Sequence, residues 1–304
     1  MKAICLTAVR AVVILGLLAM PGAGRAQDWD KIQVRILPIS GSVHMLTGAG
    51  GNIGISVGQD GVLLVDSEFA ELHDKIVSAI AAIGGGPVRF VLNTNWHYDH
   101  VRGNEIFRKR GAVIIGHANC PARMAGETYH EILDARIGPY APAAWPEVTF
   151  ADSLAVHLNG EDIEAVHIAN AHSDADALYV FRKANVIHTG DLFFSSGYPY
   201  IDIGNGGSVD GMIAAADRIL AMTNAGTKLI PGHGPLADRQ RLQAYRSMLV
   251  TVRDRVAALI KQGRSLDQVV AAKPSSDFDS AWSAAMTPQQ FVAIVFTDVS
   301  RRRH

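Results

Sequence analysis

Residues 95–100 read Asn95-Trp96-His97-Tyr98-Asp99-His100, with two imidazoles and a carboxylate packed into the last four positions. Imidazole nitrogen and carboxylate oxygen are the donors a borderline cation such as zinc prefers. A zinc ion held this way brings the pKa of a bound water toward 7, which is the chemistry of a hydrolase. Three further polar clusters could complete such a site. They are Ala171-His172-Ser173-Asp174-Ala175-Asp176, His188-Thr189-Gly190-Asp191 and Gly232-His233-Gly234. Taken singly, each has an ordinary reading: a satisfied histidine, a turn-capping aspartate, a loop. Cys120 has no Cys or His at close spacing and is expected to be a buried, inert thiol. His44, His73, His117, His130, His157 and His167 lack such surroundings and are assigned structural or exposed roles. His188 is expected at most to support a neighbouring ligand.

All four clusters follow apolar, strand-like runs. A rigid strand fixes the backbone while the loop after it turns side chains inward. Val88–Leu92 is the strand that delivers residues 95–100. Before it, 51–58 and 61–66 form a hairpin around Gln59-Asp60-Gly61. A helix over 70–83 is stopped by Gly84-Gly85-Gly86-Pro87. A short helix from Gly103 and a strand at 112–115 follow. Residues 117–148, with Pro139, Pro142 and Pro146, are read as a helix plus a loop over one face. Strands return at 148–157, 163–168, 177–181 and 185–188. A helix over 208–222 takes Ser208 as N-cap. A strand at 228–230 leads into Pro231-Gly232-His233-Gly234-Pro235, and helices cover 238–262, 265–272 and 287–298. The succession of strands then helices in each half predicts an α/β chain whose sheets are sandwiched between helices.

The 304 residues are 48% hydrophobic and 19% charged, enough for a large core. Residues 1–26 stand apart. Lys2 and Arg10 flank the start of an apolar run over 11–20, and Gly24 and Ala26 offer a cleavage site before Gln27. This is the pattern of a secretory signal peptide, and the run is short for a bilayer span of about 20 residues. The remaining residues 27–304 form one expected catalytic domain, periplasmic or secreted, with no stable membrane association. Removing Lys2, Arg10 and Arg25, with no acid among the first 26 residues, takes the net charge from −1 to −4. No basic stripe points to nucleic acid, and Arg301-Arg302-Arg303 is read as a solvated tail. Cys5 lies in the signal segment, so Cys120 has no intramolecular disulfide partner in the mature chain.

The order and surroundings of the four clusters resemble the metallo-β-lactamase superfamily. There the first motif reads His-x-His-x-Asp-His, and Asn95 stands here in place of the first histidine. The resemblance extends over about residues 40–240 and implies a four-layer αββα sandwich with a metal site at one edge. It implies one or two zinc ions. One would be held by Asn95, His97 and His172, the other by Asp99, His100 and His233, with Asp191 bridging them. It also implies that Asp99 both binds metal and orients the attacking water. An amide oxygen is a weaker zinc ligand than imidazole nitrogen. Some β-lactamases of the family nevertheless carry a glutamine at this position. Tyr198, Tyr200 and Asn205, on the 193–206 loop, are expected to hold a small-molecule substrate.

The leading expectation is β-lactam ring opening. The alternative is lactone or thioester hydrolysis, which the family's thioesterases and lactonases share with an aspartate at the Asp191 position. A reading of another class is a catalytically impaired metal-binding protein.

Overall fold

The computed structural model describes residues 27–130 and 135–301. The expected signal peptide and the last two arginines of the tail lie outside the described residues. The chain runs β1 (Arg35–Ser40), β2 (Val43–Thr47), β3 (Ile53–Gly58), β4 (Gly61–Val65), α1 (His73–Ala82), β5 (Val88–Leu92), α2 (Tyr98–Val101), α3 (Asn104–Lys109) and β6 (Val113–His117). It continues through α4 (Cys120–Ala125), a small hairpin of β7 (Thr128–His130) and β8 (Ala135–Ile137), and β9 (Val148–Phe150). The second half is β10 (Ser153–Leu158), β11 (Glu161–His167), β12 (Ala177–Phe181), β13 (Val186–Phe194), α5 (Val209–Met222), β14 (Lys228–His233) and β15 (Ala237–Asp238). Four helices close it: α6 (Arg239–Lys261), α7 (Leu266–Ala271), α8 (Asp279–Trp282) and α9 (Pro288–Arg301).

Among the described residues, and apart from the β7–β8 hairpin, the strands form two sheets, ordered β1-β2-β3-β4-β5-β6-β9 and β10-β11-β12-β13-β14-β15. Pairings from β4 to β9 and between β13 and β14 are parallel, and the others are antiparallel. Alternation along the strands explains the layering. Leu63 and Val65 of β4 face the second sheet and join Leu92, Tyr179, Phe181 and Ile230 in the inter-sheet core. Val62 and Leu64 face the other way, onto Ile76 and Ile80 of α1 and Phe107 of α3. The second sheet does the same: Leu178, Val180 and Ile187 meet Met212, Tyr245 and Phe291 of the helices outside it. Strands covered on both faces need apolar residues at every position, as β4 and β12 have. Each fully buried side chain of this kind contributes roughly 1.5–3 kcal/mol. The result is the expected αββα sandwich.

The expected helices and most strands lie within a few residues of their observed ends, and Ser208 caps α5 by accepting the Gly211 N–H at 3.0 Å. Several elements differ. β1 and β2 carry no site motif, and β1 is a largely exposed edge strand with Pro38, which breaks the strand pattern in the sequence. The 117–148 segment holds a hairpin as well as a helix. β13 extends through Asp191 to Phe194, with its pairing to β14 shifting register at Gly190. Among the described residues, no helix is long and apolar enough to cross a membrane.

Candidate metal centre

Four strand ends converge at one edge of the sandwich. β5 leads into Asn95, His97 and the short α2, which carries Asp99 and His100. The turn between β11 and β12 carries His172, β13 carries Asp191, and β14 ends at His233. Two groups of side chains result: His97, His172 and Asp191, and Asp99, His100 and His233. The ligating atoms within each group lie within 4.8 Å of one another. Asp191 faces both groups, with Oδ2 at 3.2 Å from His100 Nε2 and 3.5 Å from His172 Nε2, and Oδ1 at 3.4 Å from His233 Nε2. Asp99 Oδ2 is 3.1 Å from His233 Nε2.

Three of these histidines are held from behind by carboxylates. His100 Nδ1–H donates to Asp66 Oδ2 at 2.7 Å, and His172 Nδ1–H to Asp176 Oδ1 at 3.1 Å. His97 Nε2–H donates to Asp202 Oδ2 at 3.0 Å. Donating one ring nitrogen to a carboxylate fixes the tautomer and raises the basicity of the other, the usual support of a metal-binding histidine. Asp66 is itself fixed by Thr94, whose N–H and hydroxyl donate to it at 2.8 and 2.7 Å. Sequence reading missed Asp66 and Asp202. Asp66 did carry the signal that marked the others, a polar residue closing an apolar strand run.

Burial favours neutral forms here, but mutual pairing overrides it. Burial pushes Asp191 up, yet His100, His233 and His172 hold its carboxyl well below the usual range. Burial opposes ionisation of Asp99 too, but His100 and His233 bring it to about 2. His100, His172 and His233 are raised against the effect of burial, chiefly by Asp191. Despite this pairing, His100 Nε2, His172 Nε2 and Asp191 Oδ1 are buried and lack hydrogen-bond partners. Buried polar atoms without partners are costly, and these three, shared between the two groups, mark where an ion would be bound. The donor set, imidazole nitrogen with carboxylate oxygen, fits one or two zinc ions.

Asn95, at the position of the family's first histidine, has a partner within the chain. It is fully buried, and its Oδ1 accepts the His97 N–H at 2.8 Å, so it braces the loop that carries His97. Among the substrate candidates, Tyr200 lies beside the site, its ring centroid 5.9 Å from that of His97 and 6.2 Å from that of His172. Tyr198 does not. It stacks on Phe291 at 4.5 Å and its hydroxyl donates to Asp279 at 2.7 Å, because the chain turns it into the helical layer. The amide of Asn205 is committed to Asp202 and Arg123, which leaves it a support rather than a substrate contact. Cys120 is buried among Trp96, Val101 and Met124, and burial pushes its thiol well up, in keeping with an inert role.

His188 ties the two sheets together behind the site. Its Nε2–H donates to Asn52 O at 3.0 Å, and Nδ1 accepts the Gly190 N–H at 3.2 Å. Burial lowers it to about 4, so the folded protein keeps it neutral while the unfolded chain takes up a proton near the ordinary value of about 6.5. The stability this gives is complete above about pH 6.5 and is lost as pH falls toward 4. The expected loss over that window is about 3 kcal/mol. Urea unfolding of metal-free protein at pH 7 and pH 4.5 checks this, because His188→Gln should flatten the difference. An equal pH dependence in both proteins would refute it.

A sandwich with side chains able to hold a metal at the edge where its sheets meet defines a class of hydrolase folds. Residues 46–233, more than half of the chain, match the family model described as the Metallo-beta-lactamase superfamily, and the chain belongs to that superfamily. Among curated proteins it is similar to a Hydroxyacylglutathione hydrolase from Polaromonas sp. (strain JS666 / ATCC BAA-500), 26% identical over 177 residues. That match covers 57% of this chain and spans 59% of the relative's length. Among solved structures it resembles a metallo-beta-lactamase from Pontibacter korlensis, with a TM-score of 0.58 and 18% identity over 72% of this chain and 99% of the other. The DIM-1 metallo-beta-lactamase gives a TM-score of 0.58 and 16% identity over 73% of this chain and 99% of the other. Both likenesses are of fold.

Proposed function

We propose that the protein is a zinc-dependent hydrolase of acyl thioesters and chemically related lactones. The observation that carries this reading is Asp191, a carboxylate facing both ligand groups at 3.2–3.5 Å. The family resemblance implies an aspartate in this place in thioesterases and lactonases, whereas many true β-lactamases lack it. The similarity to a Hydroxyacylglutathione hydrolase supports the same reading. Held by these residues, zinc would supply an acidified water near neutral pH and polarisation of a scissile carbonyl.

The chain's own residues do the rest. Asp99 is ionised and keeps part of its carboxylate open to solvent beside His233, where it would orient a water. Tyr200 walls the side of the site next to His97 and His172 and gives an apolar face to the acyl group.

A second reading, β-lactam opening, is favoured by the amide at position 95, since a glutamine is tolerated there in that branch. It is weakened because Asn95 Oδ1 is already engaged by the His97 N–H.

Purified protein of known zinc content, assayed with a 2-hydroxyacyl glutathione thioester, a homoserine lactone, a penicillin, a cephalosporin and a carbapenem, separates the readings. The expected result is thioester turnover that a chelator abolishes and zinc restores. β-Lactam turnover with an inert thioester would transfer the assignment to the second reading. Full zinc occupancy without turnover of any substrate would make the protein a metal-binding one.

A further inference from the structure

Asp202 sits on the loop between β13 and α5, 1% exposed, with no obvious partner in the sequence. The fold sets it 3.0 Å from His97 Nε2. Its carboxylate is held in turn. Asn205 Nδ2 reaches both oxygens at 2.8 and 2.9 Å, and the Asp202 N–H donates to His172 O at 2.8 Å. Asn205 is fixed by Arg123 of α4, whose Nη1–H donates to Asn205 Oδ1 at 2.8 Å. The remaining guanidinium nitrogens grip Asp174, Nη2 at 2.7 Å and Nε at 3.1 Å from Oδ2. Asp174 closes the circuit, because its N–H donates to Asn205 O at 3.0 Å and it lies two residues from His172. Three separate segments are therefore locked by one polar relay that ends on His97.

Resting on the reading that His97, His172 and Asp191 hold a metal ion, we propose that Asp202 is the positioning residue for His97, and that Asn205 and Arg123 set its rotamer. By keeping the ring proton on Nε2, Asp202 assigns the lone pair to Nδ1 and fixes the ring plane. This need is greater here than where a histidine occupies position 95. Asn95 Oδ1 accepts the His97 N–H at 2.8 Å, and the histidine and carboxylate donors on this side are His97, His172 and Asp191. A site with three such donors has less tolerance for a misplaced ring, and the Arg123–Asp174 pair, in which Nε also reaches Oδ1 at 3.2 Å, is a rigid anchor for the relay.

The test uses the full-length purified protein and two variants, Asp202→Ala and Asn205→Ala. Histidine ring nitrogens are read by long-range proton–nitrogen NMR on metal-free protein at pH 8, above the ordinary histidine range. The His97 signals are identified by their loss in His97→Gln. Calorimetric titration with zinc reads the affinity of each equivalent. In the parent protein the His97 proton should sit on Nε2. Asp202→Ala should give mixed tautomers and weaken one zinc equivalent by about 10–100-fold while sparing the other. Asn205→Ala, which leaves the carboxylate in place, should move both readouts in the same direction by less, and it serves if Asp202→Ala fails to fold. A His97 proton on Nδ1 in the parent, unchanged affinities in a folded variant, or equal weakening of both equivalents would overturn the proposal. A parent protein that binds no zinc would overturn the metal-site reading instead.

Discussion

Asp191→Ala is expected to lower zinc affinity at both ligand groups together, by on the order of 100-fold or more. That exceeds what the loss of a partner behind a single ligand usually costs. The reason is position. Oδ2 faces His100 and His172, Oδ1 faces His233, and the buried Oδ1 has no hydrogen-bond partner. The variant should also change the metal-free protein. Burial depresses His100, His172 and His233, and Asp191 is the largest influence raising each against it. Without the carboxylate their titrations should therefore all shift down, a change visible by NMR with no metal and no substrate present. Loss of only one zinc equivalent, with unmoved histidine titrations, would mean that Asp191 does not join the two groups.

A second large effect is expected where no functional group is changed. Gly51 passes so close to His100 that an added Cβ would lie 2.2 Å from Cε1 and 2.6 Å from Nδ1. His100 cannot yield, since it is fully buried and pinned to Asp66 at 2.7 Å. Gly51→Ala should thus cost about 1–3 kcal/mol of stability in chelator, as overpacking does. It should also remove the zinc equivalent held with Asp99 and His233. Gly86→Ala is the control, because its Cβ would meet nothing within 4 Å and its φ is not in the left-handed region. Denaturant unfolding and zinc stoichiometry measure both outcomes. A Gly51→Ala protein with parental stability and zinc content would show that the loop moves aside freely.

The clusters holding His97, Asp99, His100, His172, Asp191 and His233 stand out as polar residues after apolar strand runs, and the resemblance to the superfamily is what singles out these six within them. The sheets and helices covering them were legible for a related reason. Strands buried on both faces, such as Val62-Leu63-Leu64-Val65, are apolar throughout. The residues that hold the ligands were harder to see. Asp202 lies 105 positions from His97 in the chain and Asp66 lies 34 from His100, and nothing local marks either pairing. Tyr198 and Asn205 were misplaced for the converse reason. Their loop was correctly assigned to the site, but the direction of each side chain depends on where α8, α9 and α4 dock. Asn95 shows the limit of matching by position, since the motif identifies a place in the chain and says nothing of the hydrogen bond from the His97 N–H that the amide accepts there.

The convergence of strand ends at the edge has a mechanical side. Each ligand group takes members from both halves of the sandwich. His97 comes from the end of the first sheet and His172 and Asp191 from the second, while Asp99 and His100 of the first meet His233 of the second. An ion held by either group is therefore a fastener across the seam between the sheets. Neither half of the chain can assemble such a grip alone. The binding free energy of ions held here would appear as resistance of the two sheets to being pulled apart at this edge. The same rigidity that orients a water for chemistry would then also hold the halves in register, and stripping the metal would loosen the seam before it loosened the helices outside.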